Sequence, residues 1–420
     1  MVKPLDGLQK TLLSYVCVGC CLSGLAGCSD ESTGPGPQVE ALPSGCDALV
    51  KPSSDDQTAL QTALIEAKEG STVCLAEGSF SLSLEVQVST PGLTLKGAGK
   101  ELTILDFSGQ ISGANGVHVM ADNVTVRDLQ VKNTAGDGIR ATAVKNIAFL
   151  GLRVLWEAKG SPDNGDYGLY PVQSEGVRVE NSVISGARDV GIYVGQSRNI
   201  VVRNNETFEN VAGIEAENST DADIHDNLVH DNTAGILILN LPERPMLAGD
   251  KAKVHHNTVE NNNLPNFAEM GTIASLLPQG TGMILLAADN NEIHDNTFSG
   301  NNSVGILITG YSEQLFGTYN DVNFDVYSQG NYVHNNAFSG NGASPEGIVK
   351  QLIPTAPVPD MLFDGCVDAG LPNADGALTN CFKDNGQAPY LNFDLCGGGA
   401  SADPDIMKVT CEHPALPSKE

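Results

Sequence analysis

A glycine followed by an aliphatic residue or Met returns along this chain on a single beat. Gly116, Gly138, Gly168, Gly191, Gly213, Gly235, Gly282, Gly305 and Gly347 are separated by 22, 30, 23, 22, 22, 47, 23 and 42 residues, a 22-residue period broken by insertions. A second short strand pattern follows about 12 residues after most of these glycines, as in Asn199-Ile200-Val201-Val202-Arg203, Asp223-Ile224-His225 and Glu292-Ile293-His294. Asparagines then fall in two columns, Asn205, Asn227, Asn257, Asn296 and Asn336, and five residues on Asn210, Asn232, Asn262, Asn301 and Asn341. Period-2 strands, a fixed glycine and repeated turn asparagines predict the coil of a parallel β-helix. One such coil cannot bury its own apolar face and must stack on its neighbours. Stacking sets equivalent residues roughly 4.8 Å apart, so Asn side chains can bond one another in ladders and satisfy turn amides. A propeller needs longer repeats and more aromatics than the 5% found here, and a leucine-rich repeat needs Leu at several fixed positions.

Upstream of the repeats, Asp55-Asp56 precede Ala59, Leu60, Ala63, Leu64, Ile65 and Ala67, a helix with an acidic start. The strand pattern Thr72-Val73-Cys74-Leu75-Ala76-Glu77-Gly78 follows it. This helix and strand resemble the cap that opens pectin-lyase-like right-handed β-helices, where it shields an unpaired apolar end. Gly165-Asp166-Tyr167-Gly168-Leu169-Tyr170-Pro171-Val172 and Gly191-Ile192-Tyr193-Val194-Gly195-Gln196-Ser197 resemble stretches of bacterial exported parallel β-helix repeat proteins of undefined activity. That resemblance implies a secreted haem-protein-like partner. The expected fold is all-β, a single-stranded right-handed parallel β-helix over residues 46–350. An N-terminal helix caps it, and a Pro-, Gly- and Cys-rich C-terminal cap over 351–420 closes it.

The N-terminus reads as an address. Lys3 and Lys10 precede an apolar run from Thr11 to Leu25, which meets Leu25-Ala26-Gly27-Cys28. Charged start, short apolar run and small residues are the layout of a secretory signal peptide over 1–27. The four residues ending in Cys28 resemble the lipobox of bacterial lipoproteins. This implies cleavage before Cys28, lipidation of that residue and anchoring in the cell envelope. Ser29 in place of Asp implies the outer membrane, with residues 28–45 as a lipidated flexible tether. Past Cys28 six cysteines remain, Cys46, Cys74, Cys366, Cys381, Cys396 and Cys411. An even number in an exported chain predicts three disulfides. Their grouping predicts Cys46–Cys74 at one end and two bridges among the last four, whose pairing stays open. None has the CxxC spacing of a zinc site.

Fifty-one acidic residues against 23 basic ones give a net charge of −28. Such a surface repels phosphate backbones and anionic lipid headgroups, which excludes nucleic acid as a partner and leaves the lipid as the sole membrane link. The pI of about 4.4 favours a neutral glycan, or one bridged by calcium, over a bare polyuronate. Within each glycine strand, Gly+1 faces in, so Gly+2 and Gly+4 face out. Gly+2 reads Arg140, Tyr170, Tyr193, Glu215, Leu237, Ile284 and Leu307, and Gly+4 reads Thr142, Val172, Gly195, Glu217, Leu239, Leu286 and Thr309. The outward column is polar and aromatic in four coils, then apolar in three. Extra residues near 158–166, 240–250, 263–280 and 310–329 are expected to fold over the apolar strip. Their edge would wall a groove floored by Arg140, Tyr170, Tyr193, Glu215 and Glu217. The tyrosines and Arg140 would take sugar rings, so a polysaccharide is the expected partner. Glu215 and Glu217 lie at i, i+2, their Cα atoms roughly 6.5–7 Å apart. Carboxylates at roughly 5–9.5 Å serve glycosidases as acid with base or nucleophile. The plainer account is two solvated acids on an acidic protein. A catalytic set, hydrolase or lyase, would add Tyr167, Asp166 and Asp189.

Tyr167-Gly168-Leu169-Tyr170-Pro171-Val172 also resembles the Tyr-Gly-Phe-Asp-Pro-His stretch of alginate C5-epimerases, in which Asp and His move the protons. Tyr170 and Val172 stand at those two positions. The resemblance therefore implies the fold and disfavours epimerase activity, since the acid/base pair is missing. His225, His255, His294 and His334 occupy one outward position on successive coils, with Asp226, Asp295 and His256 beside them. Three of them, His225, His255 and His294, are candidate copper or zinc ligands, and copper-maturation β-helix proteins offer a resemblance. Stacked coils would set the rings parallel rather than convergent, which favours a structural column. Three hypotheses follow: a glycan-binding envelope lipoprotein, a carbohydrate-active enzyme, and a metal-handling or scaffold protein with a redox partner.

Overall fold

The computed structural model describes residues 42–419 except 112–114, 247 and 374. The expected signal peptide, Cys28 and the tether up to residue 41 lie outside the described residues. Among those described, three parallel sheets of 12, 11 and 10 strands stack along one axis. Each coil contributes one strand to each sheet, the topology of a single-stranded parallel β-helix. Sequential glycine strands Val190–Gly195, Ala212–Glu217, Ala234–Leu239, Thr281–Leu286 and Val304–Thr309 are direct neighbours. Their register aligns Ile192, Ile214, Ile236, Met283 and Ile306 in one buried column inside the coil. The strand alternation sends Tyr193, Glu215, Leu237, Ile284 and Leu307 to the outer side.

The repeated glycine is fixed by close approach. A Cβ at Gly213 would lie 2.5 Å from a Val229 methyl and 2.9 Å from the Gly235 carbonyl oxygen. At Gly235 it would come within 2.3 Å of the Gly282 carbonyl oxygen. Gly347 departs from the expectation. It opens the helix Gly347–Leu352, and the glycine-sheet strand of that coil is Met361–Phe363.

Both asparagine ladders form. In the first, Asn205, Asn227, Asn257, Asn296 and Asn336 each donate from their backbone and side-chain nitrogens to the Oδ1 of the next, with Asn385 as its last member. The second runs from Asn210 to Asn341 and ends on the Asp360 carboxyl. Immediately before the first ladder, Asn204, Asp226, His256, Asp295 and Asn335 have φ of 53–55°. That left-handed turn favours Asn and Asp and aims the next side chain inward. A third ladder, Asn291–Asn331–Asn380, sits at another corner. Its members fall among insertions, where the period is hidden.

The helix Asp56–Glu66 caps the N-terminal end, with Leu60 and Leu64 buried against the first coils. Asp55 accepts a hydrogen bond from the Thr58 amide, and the Asp56 carboxylate accepts from the Ser53 and Ser81 amides. The coil does not stop at residue 350 as the fading repeat suggested. Strands Met361–Phe363, Cys381–Lys383 and Tyr390–Asn392 extend two of the sheets. Loops between these strands stretch the spacing until the repeat is unreadable. All three disulfides form, Cys46–Cys74, Cys366–Cys396 and Cys381–Cys411. The last two interleave, tying the final strands to the chain end.

Candidate functional site

The insertions do cover the apolar strip. Leu237, Leu239, Ile284, Leu286 and Leu307 are buried in a cluster outside the coil, against Ile273 and Leu277 of one insertion and Tyr311 and Phe316 of another. The cover is larger than the sequence suggested, since Val349, Ile353, Val358 and Phe393 from the C-terminal part join it.

Where this cover ends, the outward column turns polar and a cavity of about 260 Å³ opens. Asp166, Tyr167, Asp189, Glu215, Glu217 and Arg244 line its polar side. The site is a cavity rather than the elongated open groove that strand alternation implied. Its roof carries Ile273, Ala274 and Leu277, and Leu241 and Arg244 come from the 240–250 insertion.

Glu215 and Glu217 are not solvated acids. They are 7% and 5% exposed, which corrects the plainer account of the pair. The loops that bury the leucines also bury the two carboxyls at the end of the strip. Glu217 accepts hydrogen bonds from Arg244 Nε at 2.7 Å and from Gln196 Nε2 at 2.9 Å. Burial still holds its carboxyl above the ordinary range, with Arg244 opposing. Glu215 sits in the same setting, and burial pushes its carboxyl far higher. The negative charges of Asp189 and Glu217 add to that shift, and Arg244 opposes it. Burial and the charge of Asp166 push Asp189 up to about 7, while a hydrogen bond from the Tyr167 hydroxyl lowers it. Asp137, buried in the neighbouring coil and 3.6 Å from Arg140, is likewise pushed by burial to about 7. Burial thus biases the cavity carboxyls toward the acid form, which can donate a proton or a hydrogen bond.

The three tyrosines stack chiefly on one another. Tyr167 lies 4.4 Å from Tyr170 and 4.8 Å from Tyr193 between ring centroids, and Tyr170 meets Tyr193 edge-on at 4.9 Å. Tyr193 is 4% exposed, so the expectation that it stacks on a sugar is corrected: its faces are already packed. Tyr170 is capped by the Arg140 guanidinium at 4.8 Å, and neither residue lines the cavity. Tyr167 reaches the cavity wall. Asp166 lines it too, but is held by Arg188 Nε at 2.6 Å. Arg244 was missed because it comes from an insertion, where repeat position carries no information.

The histidine column forms as parallel stacks. Successive centroids of His225, His255, His294 and His334 lie 4.8, 4.9 and 5.0 Å apart with interplanar angles of 5°, 4° and 11°. Ligand atoms of Asp223, His225 and His255 all lie within 4.8 Å of one another. Yet His255 Nε2 is spent on Asp223 at 2.9 Å, and Nδ1 of His225 and of His294 on Asp226 and Asp295 at 2.7 Å. The Lys419 amide takes the other Asp223 oxygen and the Leu416 amide takes Glu292. Parallel stacks point their ring nitrogens side by side rather than toward one point, unlike the convergent tetrahedral donors of copper(I) or zinc.

The family model described as "Right handed beta helix region" matches residues 115–263. Among solved structures, the A-module of mannuronan C-5 epimerase AlgE4 from Azotobacter vinelandii is 16% identical, with 81% of this chain and 95% of that one covered and a TM-score of 0.53. The A-module of mannuronan C-5 epimerase AlgE6 from the same organism gives 14% identity, 80% and 92% coverage and a TM-score of 0.42. Pectate lyase Pel9A gives 12% identity, 70% and 76% coverage and 0.42. No curated protein sequence matches the chain. Identities this low speak to architecture and leave the chemistry to the residues themselves. The chain is a right-handed parallel β-helix protein of the pectin-lyase-like fold.

Proposed function

We propose that this chain is an exported cell-envelope protein that binds a polysaccharide through the cavity of Tyr167, Asp189, Glu215, Glu217 and Arg244. The observation that carries the reading is a cavity whose wall sets the buried carboxyls of Glu215 and Glu217, with Asp189, beside the Tyr167 ring. Neutral carboxyls both donate and accept hydrogen bonds, which suits sugar hydroxyls, and the Tyr167 edge and Leu237 offer apolar contact to a ring. The net charge of −28 favours a neutral glycan, because a polyuronate would meet the exposed Asp166 and Glu269 of the cavity lining. The names of the solved structures compared above, epimerase and lyase, are consistent with a glycan site on this architecture. Three formed disulfides support an oxidising compartment. In this reading the resemblance of Leu25-Ala26-Gly27-Cys28 to a lipobox supports a lipid anchor in the outer membrane.

A second reading is catalytic. Glu215, held protonated, is suited to give a proton to a leaving glycosidic oxygen, and Glu217, paired with Arg244, is the more readily ionised carboxylate beside it. Asp189 with Tyr167 forms a second proton-holding pair.

The test uses the exported chain carrying Cys28→Ser, incubated with neutral and uronic polysaccharides with and without calcium. Pull-down reads binding; reducing ends and unsaturated products read turnover. Binding by the parent and its loss in Tyr167→Ala is the expected result. Turnover abolished by Glu215→Gln with binding retained would establish the catalytic reading. Silence of every glycan in both assays would sink the proposal.

A further inference from the structure

A second cavity of about 310 Å³ adjoins the carboxylate cavity on the same sheet. The two share Leu237, Leu239, Ile273 and Leu277 as wall. Past that wall the second cavity is floored by Ile284, Leu286 and Leu307 and closed by four separate segments, around Ile273, Ser312, Ile348 and Phe393. Among the described residues no titratable side chain lines it. Leu276, Leu315, Leu352 and Leu395 all line it and are 46%, 44%, 38% and 39% exposed. Single exposed leucines are ordinary, but four of them on one apolar cavity are a feature.

We propose that this cavity holds the hydrocarbon chain of a glycolipid, an acyl or alkyl chain whose sugar head occupies the carboxylate cavity. The inference rests on the glycan reading and narrows its ligand to an amphiphile. The occupant follows from the adjacency of the two cavities, which share four lining residues. One ligand spanning them must be apolar at the leucine end and rich in hydroxyls at the Tyr167–Glu215 end. Charge narrows the head further. Among the described residues the only Arg lining the polar cavity, Arg244, is already paired with Glu217 at 2.7 Å, so a phosphate or carboxylate head finds no free cation among the lining residues and a neutral sugar is favoured. A second protein would need a broad face, whereas this apolar surface lies mostly inside, beneath the segments around Ile273, Tyr311 and Val349.

The experiment measures binding of hexyl, octyl and decyl glucosides and maltosides, below their micelle concentrations, to the exported Cys28→Ser chain. Glucose, maltose and 1-octanol serve as head-only and tail-only controls. Each methylene buried should raise affinity about 3- to 4-fold, so the octyl compound should bind roughly tenfold tighter than the hexyl one. Leu276→Ser with Leu315→Ser, two exposed positions that leave the packed floor intact, should flatten that dependence. Tyr167→Ala should weaken the glycosides and spare 1-octanol. Sugars that bind with no effect of chain length would overturn this inference and leave the glycan reading standing. If 1-octanol binds as well as octyl glucoside, the joined ligand is wrong. A polysaccharide panel that is also silent would then remove the glycan reading itself.

Discussion

The asparagine ladders and the carboxylate cavity are both rows of buried polar side chains on the same coils, and they obey opposite rules. Asn257 Oδ1 accepts from the backbone and side-chain nitrogens of Asn227, and its Nδ2 donates to Ile224 and Asn296. Fully satisfied and uncharged, it costs the fold little and fixes the height of each coil. Glu215 is buried beside Asp189 and Glu217, whose charges raise its pKa while only Arg244 opposes them. The fold tolerates it by keeping it protonated. A repeat thus builds its scaffold from side chains that pair with copies of themselves. Its site arises where the stacked residue cannot pair with its copy.

The largest effect should come from breaking a ladder. Asn257→Leu removes four hydrogen bonds and leaves the Asn227 amide and the Ile224 carbonyl without the partners they have. The expected loss is about 3–5 kcal/mol in denaturant-induced unfolding. A loss below about 1 kcal/mol would mean the ladder is decoration.

The cavity predicts the reverse sign. Replacing Glu215 by Gln keeps the shape and removes a group whose folded pKa is raised above its unfolded value near 4.3. The unfolded chain releases that proton above about pH 4 while the folded chain retains it, so stability falls as pH rises. Glu215→Gln should therefore match the parent at pH 4 and exceed it by about 1–3 kcal/mol at pH 8. Asp189→Asn should do the same over a narrower window, from about pH 4 to about 7, where its own shift ends. Variants that are less stable than the parent at pH 8 would show these carboxyls to be paired rather than stranded.

That contrast also explains what the sequence disclosed. The coil was legible because a 22-residue period repeats the same demands: Gly213 and Gly235 for close approach, Asn227 and Asn257 for the turn, Ile214 and Ile236 for the core. The outward direction of Glu215 and Glu217 was legible from strand alternation. Their burial was not, because it depends on Ile273, Leu277 and Arg244, which arrive from insertions whose path no period sets. The same holds for Tyr193, which alternation turns outward and Tyr167 and Tyr170 then cover. The last coils were hidden for a related reason, since Met361–Phe363 and Tyr390–Asn392 keep the register while the loops between them lose the spacing.

The histidine column stands between the two regions and should give the smallest effect. Its rings stack like the asparagines, but they can charge like the carboxyls. His294 has its Nε2 buried without a partner among the described residues, and burial lowers its pKa below 6.5 despite the hydrogen bond to Asp295. The unfolded chain takes up a proton below about pH 6.5 before the folded chain does. Stability should therefore fall on the acid side, opposite in sense to Glu215 and Asp189. The ring is partly reached by solvent, so the change between pH 7 and 5 should stay under about 0.5 kcal/mol and vanish in His294→Gln. Zinc and copper should leave the melting temperature unchanged, since His255 Nε2 and both Asp223 oxygens are already hydrogen-bonded and the stacked rings lie parallel rather than convergent. A metal-induced rise lost in His255→Gln would show the stack able to open, and would move the column from the scaffold to the sites.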